Sequence, residues 1–292
     1  MYGQFGTLSI AGVATWLSDH PVPGGSGMAL ALMIAGLALK TALFPLHRWL
    51  PPAHGSAKSP VSALELGQPI GSLAAAQLIG LLGSAAVVWG SWLACRQQQL
   101  KQVVAYSSVA QIGYLFLLFP LTFSVPETVS LQAQQGMTLQ VISHALAKAA
   151  MFLAAGNLIL SVGSNRVDAL AGVSCFLPFS LFSFGLAGVS LMSLPPSGGF
   201  AAKWLLLQAS IGSGQWWWAL VLLAGGLLSA AYMFRIYRAS FLERSGTEQF
   251  FYPARSLEII PMILALLALG LGLVSDQVLS VMALPFAGEG VP

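Results

Sequence analysis

GMTLQVISHALAKAAMFLAAGNLILSV, residues 136–162, carries one formal charge, Lys148, in 27 residues. A helix that crosses a bilayer needs about 20 consecutive, mostly apolar residues, and this stretch supplies them. The rest of the chain agrees. Of 292 residues, 57% are hydrophobic and 7% are charged, with a mean hydropathy of +0.80. A soluble domain carries roughly 25% charged residues. This chain has too little charge to coat a surface that faces water, which excludes an ordinary cytosolic enzyme and leaves lipid as the solvent. Twelve Lys and Arg against nine Asp and Glu leave a net charge of +3, too weak and scattered to suggest nucleic acid. Cys95 and Cys175 have neither CxxC nor metal spacing, so no disulfide framework or redox compartment follows from them.

Outward from 136–162, further apolar spans are predicted at 28–50, 69–94, 103–123, 176–194, 216–237 and 257–282. A shorter apolar helix containing Lys203 follows the break Pro195-Pro196-Ser197-Gly198-Gly199. Seven or eight crossings result, depending on how that segment is counted. Residues 1–27 are interrupted by Gly and Ser and end in a turn-rich stretch. They read as an interfacial or loop segment and lack the layout of a signal peptide. Residues 28–292 read as a single transmembrane helical domain. The predicted fold is therefore all-α, a polytopic membrane helix bundle with helices broken at Pro45 and at Pro195-Pro196. Trp216-Trp217-Trp218 reads as an aromatic belt. The basic loops, with Arg48 and Lys58, Arg96 and Lys101, and the arginines from Arg235 to Arg255, belong on the cytoplasmic side. The first two need an even number of crossings between them, yet one apolar run lies there. A re-entrant or interfacial segment between Leu64 and Ser72 would restore the parity.

The ionisable residues inside spans are few: Lys40 just before Pro45, His144 and Lys148 four apart, Lys203 after the Pro-Pro break, and Glu65 near a boundary. Positions i and i+4 share a helical face. A lysine at the bilayer centre costs about 2.5–3.5 kcal/mol on insertion scales. A buried amine can be neutral or charged near physiological pH, which a proton-relay station requires. Irregular backbone at membrane depth is tolerated where protein or a water-filled cavity satisfies it, so a break beside a lysine suggests a hydrated path. The competing readings are blander: lysines that snorkel to the interface from helix ends, a His144 that only bonds neighbouring helices, and an interfacial Glu65.

Four segments resemble, in order, the antiporter-like subunits shared by respiratory complex I, Mrp-type cation/proton antiporters and membrane-bound hydrogenases. They are Lys40-Thr41-Ala42-Leu43-Phe44-Pro45 through Pro60-Val61-Ser62-Ala63-Leu64, Leu100-Lys101-Gln102-Val103-Val104-Ala105-Tyr106-Ser107-Ser108 through Gly113-Tyr114, His144-Ala145-Leu146-Ala147-Lys148-Ala149-Ala150-Met151-Phe152, and Ser193-Leu194-Pro195-Pro196-Ser197-Gly198-Gly199-Phe200-Ala201-Ala202-Lys203-Trp204. The last looks closest to the Mrp and hydrogenase branch. The resemblance implies that Lys40, Lys148 and Lys203 lie on a hydrated proton path, with His144 beside it and Glu65 as a candidate acidic partner. It also implies that the chain starts near the loop after the family's fifth helix and lacks a complete eighth. No cofactor is implied. The expected partners are other membrane subunits of one complex, including one that supplies the amino-terminal helices, together with the lipid bilayer and protons or Na+. The expected location is the bacterial plasma (inner) membrane. Two rivals stand beside the proton-translocating reading: a non-conducting structural or assembly subunit, and a membrane partner in dissolved inorganic carbon uptake.

Overall fold

Residues 73–243 and 251–282 are the part of the chain that the computed structural model describes, and among them every extended regular element is a helix. The predictions for 1–27, Lys40, the break at Pro45, Glu65 and the segment between Leu64 and Ser72 lie outside the described residues. The helices are α1 (Leu73–Arg96), α2 (Leu100–Leu115), α3 (Leu118–Thr122), α4 (Glu127–Val162), α5 (Val173–Phe176), α6 (Pro178–Met192), α7 (Gly198–Gly212), α8 (Trp216–Phe241), α9 (Arg255–Leu273) and α10 (Ser275–Met282).

Small residues let the helices approach closely, as expected where lipid gives no hydrophobic drive for helices to associate. α1 and α2 run antiparallel across Gly83 and Gly113. A Cβ on Gly83 would stand 2.5 Å from the Gly113 carbonyl oxygen, and one on Gly113 would stand 2.6 Å from that of Gly83. α1 and α8 run parallel in steady register. Gln77 donates to Gln215, Gly80 backs onto Trp218, and Gly225 leaves space beside Val87. α2 and α3 together, Leu100–Thr122, form the most enclosed of the membrane-length stretches, whereas α8 and α9 turn much of their apolar surface outward. Exposed leucines and aromatics such as Leu81, Leu227, Phe234 and Leu266 cover that outside, the inversion that a lipid solvent favours.

α4 has 36 residues, about 54 Å at 1.5 Å per residue. α6 and α7 have 15 each, about 22 Å, short of the ~30 Å hydrocarbon core. They lie end to end, antiparallel to α4: Ser190 meets Ser143, Gly136 faces Ala202 and Leu206, and Gly212 faces Val129. The predicted break at Pro195-Pro196 is therefore present, level with the middle of α4. It has specific chemistry. Ser193 caps α6 in the left-handed region with φ 61°. The Ser197 hydroxyl accepts from the Phe200 N–H and donates to the Leu194 carbonyl, which serves as the N-cap of α7.

Four expectations need correcting. The span predicted at 103–123 is present as Leu100–Thr122, but it is not one unbroken helix. At Phe116 and Leu117 the N–H groups bond three residues back instead of four, a tightening that no Gly or Pro announces. The span predicted from 136 begins at Glu127, so Gln132, Gln134 and Gln135 lie on the helix. The span predicted at 257–282 divides at Val274 into α9 and α10. Trp216 and Trp217 are exposed as an aromatic belt requires, but Trp218 is buried, packs on Gly80 and donates its indole N–H to Gln215.

Six basic residues, Arg96, Lys101, Arg166, Arg235, Arg238 and Arg255, gather at one end of the bundle. Backbone bonds tie that end together: Leu100 to Asn165, Val167 to Gln98, Gly172 to Leu242 and Phe251 to Ser161. Arg235 donates to the Cys95 and Gln97 carbonyls at the C-terminus of α1, where a cation meets the negative end of the helix dipole.

Candidate functional site

Lys148 and Lys203 are both about 6% exposed. Neither snorkels. Both point inward, from α4 and α7, toward the polar face of α2. The Lys148 ammonium donates to the Val104 carbonyl at 2.7 Å and to the Ser107 hydroxyl, which itself donates to Val104. The Lys203 ammonium lies 4.2 Å above the Tyr114 ring and donates to the Leu191 carbonyl at 3.4 Å. Leu191 lies in the last turn of α6, where the carbonyls have lost their intrahelical partners. The break thus gives a buried cation the negative end of a helix.

Between the lysines runs an amide bridge. Gln111 on α2 donates to the Leu191 carbonyl at 3.2 Å, and Gln140 on α4 donates to Gln111 at 2.9 Å. Gln140, His144 and Lys148 recur every fourth residue on α4 and so form one stripe. His144 lies half-buried within it. The Ser143–Ser190 hydroxyl pair, at 2.7 Å, ties α4 to the end of α6, and the Gly199 N–H donates to the same Ser190. Neither lysine meets a carboxylate among the described residues, where the recorded ion pair joins Arg166 and Asp168. Nor does any His, Cys, Asp and Glu cluster among them have the makings of a metal site.

Of the predicted site residues, His144, Lys148 and Lys203 come together around α2, while Lys40 and Glu65 are outside the described residues. Sequence reasoning missed Ser107, Gln111, Tyr114 and Gln140 as members of the site. Ser107, Gln111 and Tyr114 do recur every third or fourth residue along α2, a polar stripe inside an otherwise apolar helix. Gln140 lies four residues before His144. Those spacings were available signals.

Residues 1–229 match the family described as NADH:quinone oxidoreductase/Mrp antiporter, TM. The chain belongs to that family. It is an integral membrane protein, an antiporter-like subunit of the type found in complex I and Mrp assemblies. NADH-quinone oxidoreductase subunit N of Desulforudis audaxviator is 31% identical over 96% of this chain and 61% of its own length. F(420)H(2) dehydrogenase subunit N of Methanosarcina mazei is 29% identical over 81% of this chain and 52% of its own. The chain thus spans between half and two thirds of these relatives. Among solved structures, an archaeal membrane-bound sulfane sulfur reductase gives a TM-score of 0.78 at 24% identity, covering 96% of this chain and 59% of the other. The Mrp complex of Dietzia sp. DQ12-45-1b gives 0.74 at 22%, with 96% and 62% covered. Both establish a shared fold.

Proposed function

We propose that this chain is a proton-translocating subunit of a multi-subunit membrane complex of the complex I, Mrp or membrane-bound hydrogenase type, moving protons, or exchanging them for Na+, along buried lysines. One observation carries the reading. Two enclosed lysines on different helices are bonded, among the described residues, to carbonyls, a hydroxyl and a ring, and the polar face of α2, with Ser107 and Gln111 one turn apart, lies between them beside a broken helix. Intramembrane ionisable residues are costly to insert and are found where ions pass. An amine in such a place can release and recover its proton near working pH. A guanidinium cannot.

Lys148, Lys203 and His144 are the stations in this reading, with Lys40 continuing the path and Glu65 as its acidic partner. The basic end faces the cytoplasm of a bacterial cell. Other membrane subunits flank the chain, one of them contributing helices beyond those matched here. The test is proton or sodium flux in vesicles containing the assembled complex. Lys148→Ala removes a station and Lys148→Arg leaves a charge that cannot be released, so each stops flux while the complex still assembles. Arg166→Ala, in an exposed loop, leaves flux unchanged. A Lys148→Ala complex that assembles and transports at the wild-type rate replaces this reading with a non-conducting structural subunit.

A further inference from the structure

Tyr232 on α8 is 1% exposed, and its hydroxyl has no hydrogen-bond partner of good geometry among the described residues. Its ring packs in an apolar cluster with Met233 and Ile236, but its hydroxyl end lies among polar groups. α8 runs antiparallel to α2, and the packing of Gly225 on Tyr114 brings Tyr232 level with Ser107 seven residues on, with Gln111 and Ser229 one turn away. The register of α1 brings Cys95 level with Met233. Two of these tie it to groups already described. Ser107 holds Lys148. Cys95 lies beside Arg235, which bonds the Cys95 and Gln97 carbonyls at the basic end. Ser229, one turn before Tyr232, is fully buried with an unpartnered hydroxyl. The register that sets Gly80 against Trp218 and Val87 against Gly225 brings Ser91 of α1 level with Ser229, and the Ser91 hydroxyl is also buried and unpartnered. The Arg235 Nε is a further orphan.

Isolated orphans of this kind are uncommon in folded proteins, and a group of them marks a place that ordered water completes. These four, Ser91, Ser229, Tyr232 and Arg235, follow one seam between α1, α2 and α8. The seam starts at Lys148 and ends at the basic face.

We propose that this seam is the water-filled access route between the basic face and Lys148, and that the Tyr232 hydroxyl is the relay group linking its water to Ser107. The proposal rests on the proton-translocating reading above. In the inward direction a seam water passes on to the Tyr232 oxygen a proton that it receives from bulk water at the basic face, and so ends neutral, as Tyr232 gives its own proton to the Ser107 oxygen. Ser107 in turn passes its proton to the neutral Lys148 amine. Each hydroxyl accepts one proton as it releases one, so one proton reaches Lys148 and both hydroxyls end unchanged. Gln111 cannot substitute, since an amide N–H does not exchange its proton in this way.

Tyr232→Phe deletes the hydroxyl and keeps the ring. The complex is expected to assemble normally, with proton flux in vesicles at least 10-fold below wild type. A second measurement does not depend on transport. In a background with Cys95→Ser and Cys175→Ser, a cysteine replaces Ser229, and its reaction with a small water-soluble cationic thiosulfonate is compared with one replacing Ala187, which is equally buried but lies on α6, outside the seam. Ser229→Cys is expected to react at least 10-fold faster. Should Tyr232→Phe fail to assemble, this reactivity decides the question. Wild-type flux in assembled Tyr232→Phe overturns the route, and so does a Ser229→Cys no more reactive than Ala187→Cys. If Lys148→Ala abolishes flux while either of those results holds, the route alone is wrong. If Lys148→Ala transports normally, the function itself is wrong.

Discussion

Lys203 shows how one side chain is accommodated against its preference. Its ammonium is enclosed, with a carbonyl at 3.4 Å and a ring at 4.2 Å, a weaker shell than water provides. Lys203→Met removes the charge and keeps most of the volume. It is expected to raise the thermal midpoint of the purified complex, relieving up to about 2.5–3.5 kcal/mol of insertion cost, while abolishing proton flux. A lowered midpoint would mean that the Leu191 and Tyr114 contacts outweigh that cost. Asp168 is the opposite case. The hydrogen bond from Arg166 holds its carboxyl below the ordinary carboxylate range. A depressed carboxyl stabilises the fold above its unfolded pKa, and the gain is lost as pH falls through the folded value. Both side chains are more than half exposed, however, and solvent screens such pairs to little or nothing. Asp168→Asn is therefore expected to leave the thermal midpoint unchanged from neutral pH down through the carboxylate range.

Among the elements, the joint between α6 and α7 tolerates least. A Cβ on Gly199 would run into the Ser190 carbonyl, and one on Gly272 of α9 would run into the Pro196 carbonyl and the Ser197 backbone. Those atoms are main chain and cannot swing aside. Gly199→Ala is expected to lower the thermal midpoint by the equivalent of about 1–3 kcal/mol and to reduce flux, because the same shift displaces the Leu191 carbonyl from Lys203. Gly226→Ala makes a control. Its Cβ would find its nearest neighbour, the Met192 carbonyl oxygen, at 3.6 Å, and both stability and flux are expected to stay at wild type.

At the scale of the described bundle, basic charge separates the two ends. Among the described residues, the six arginines and lysines outside the interior share one end, and the loop between α7 and α8, Ser213 to Gln215, lies at the other. With Cys95→Ala, the exposed Cys175 labels from the side of the basic end and Ser213→Cys labels from the opposite side. Impermeant maleimide applied to intact cells and to inverted vesicles distinguishes them, and the expected result is that Cys175 reacts only in inverted vesicles. Reaction of both positions from one side would contradict the bundle described here.

Bilayer class, most of the spans, the break at Pro195-Pro196 and the lysines were legible in the residue order, since each depends on local properties: apolar run length, missing backbone donors, and charge inside an apolar stretch. The lost turn at Phe116, the burial of Trp218 and the early start of α4 were not. Each is settled by what packs against it. Phe116 and Trp218 both pack in the core shared by α1, α2 and α8, and Val129 and Ala133 extend α4 because α7 lies alongside them. The polar seam was legible in its spacing but not in its meaning. Serine and glutamine in an apolar helix look alike whether they bond their own backbone, as Ser210 does, or reach across to another helix, as Gln111 does. Which of the two occurs depends on whether an unsatisfied carbonyl, such as that of Leu191, is brought within reach by the packing of distant segments.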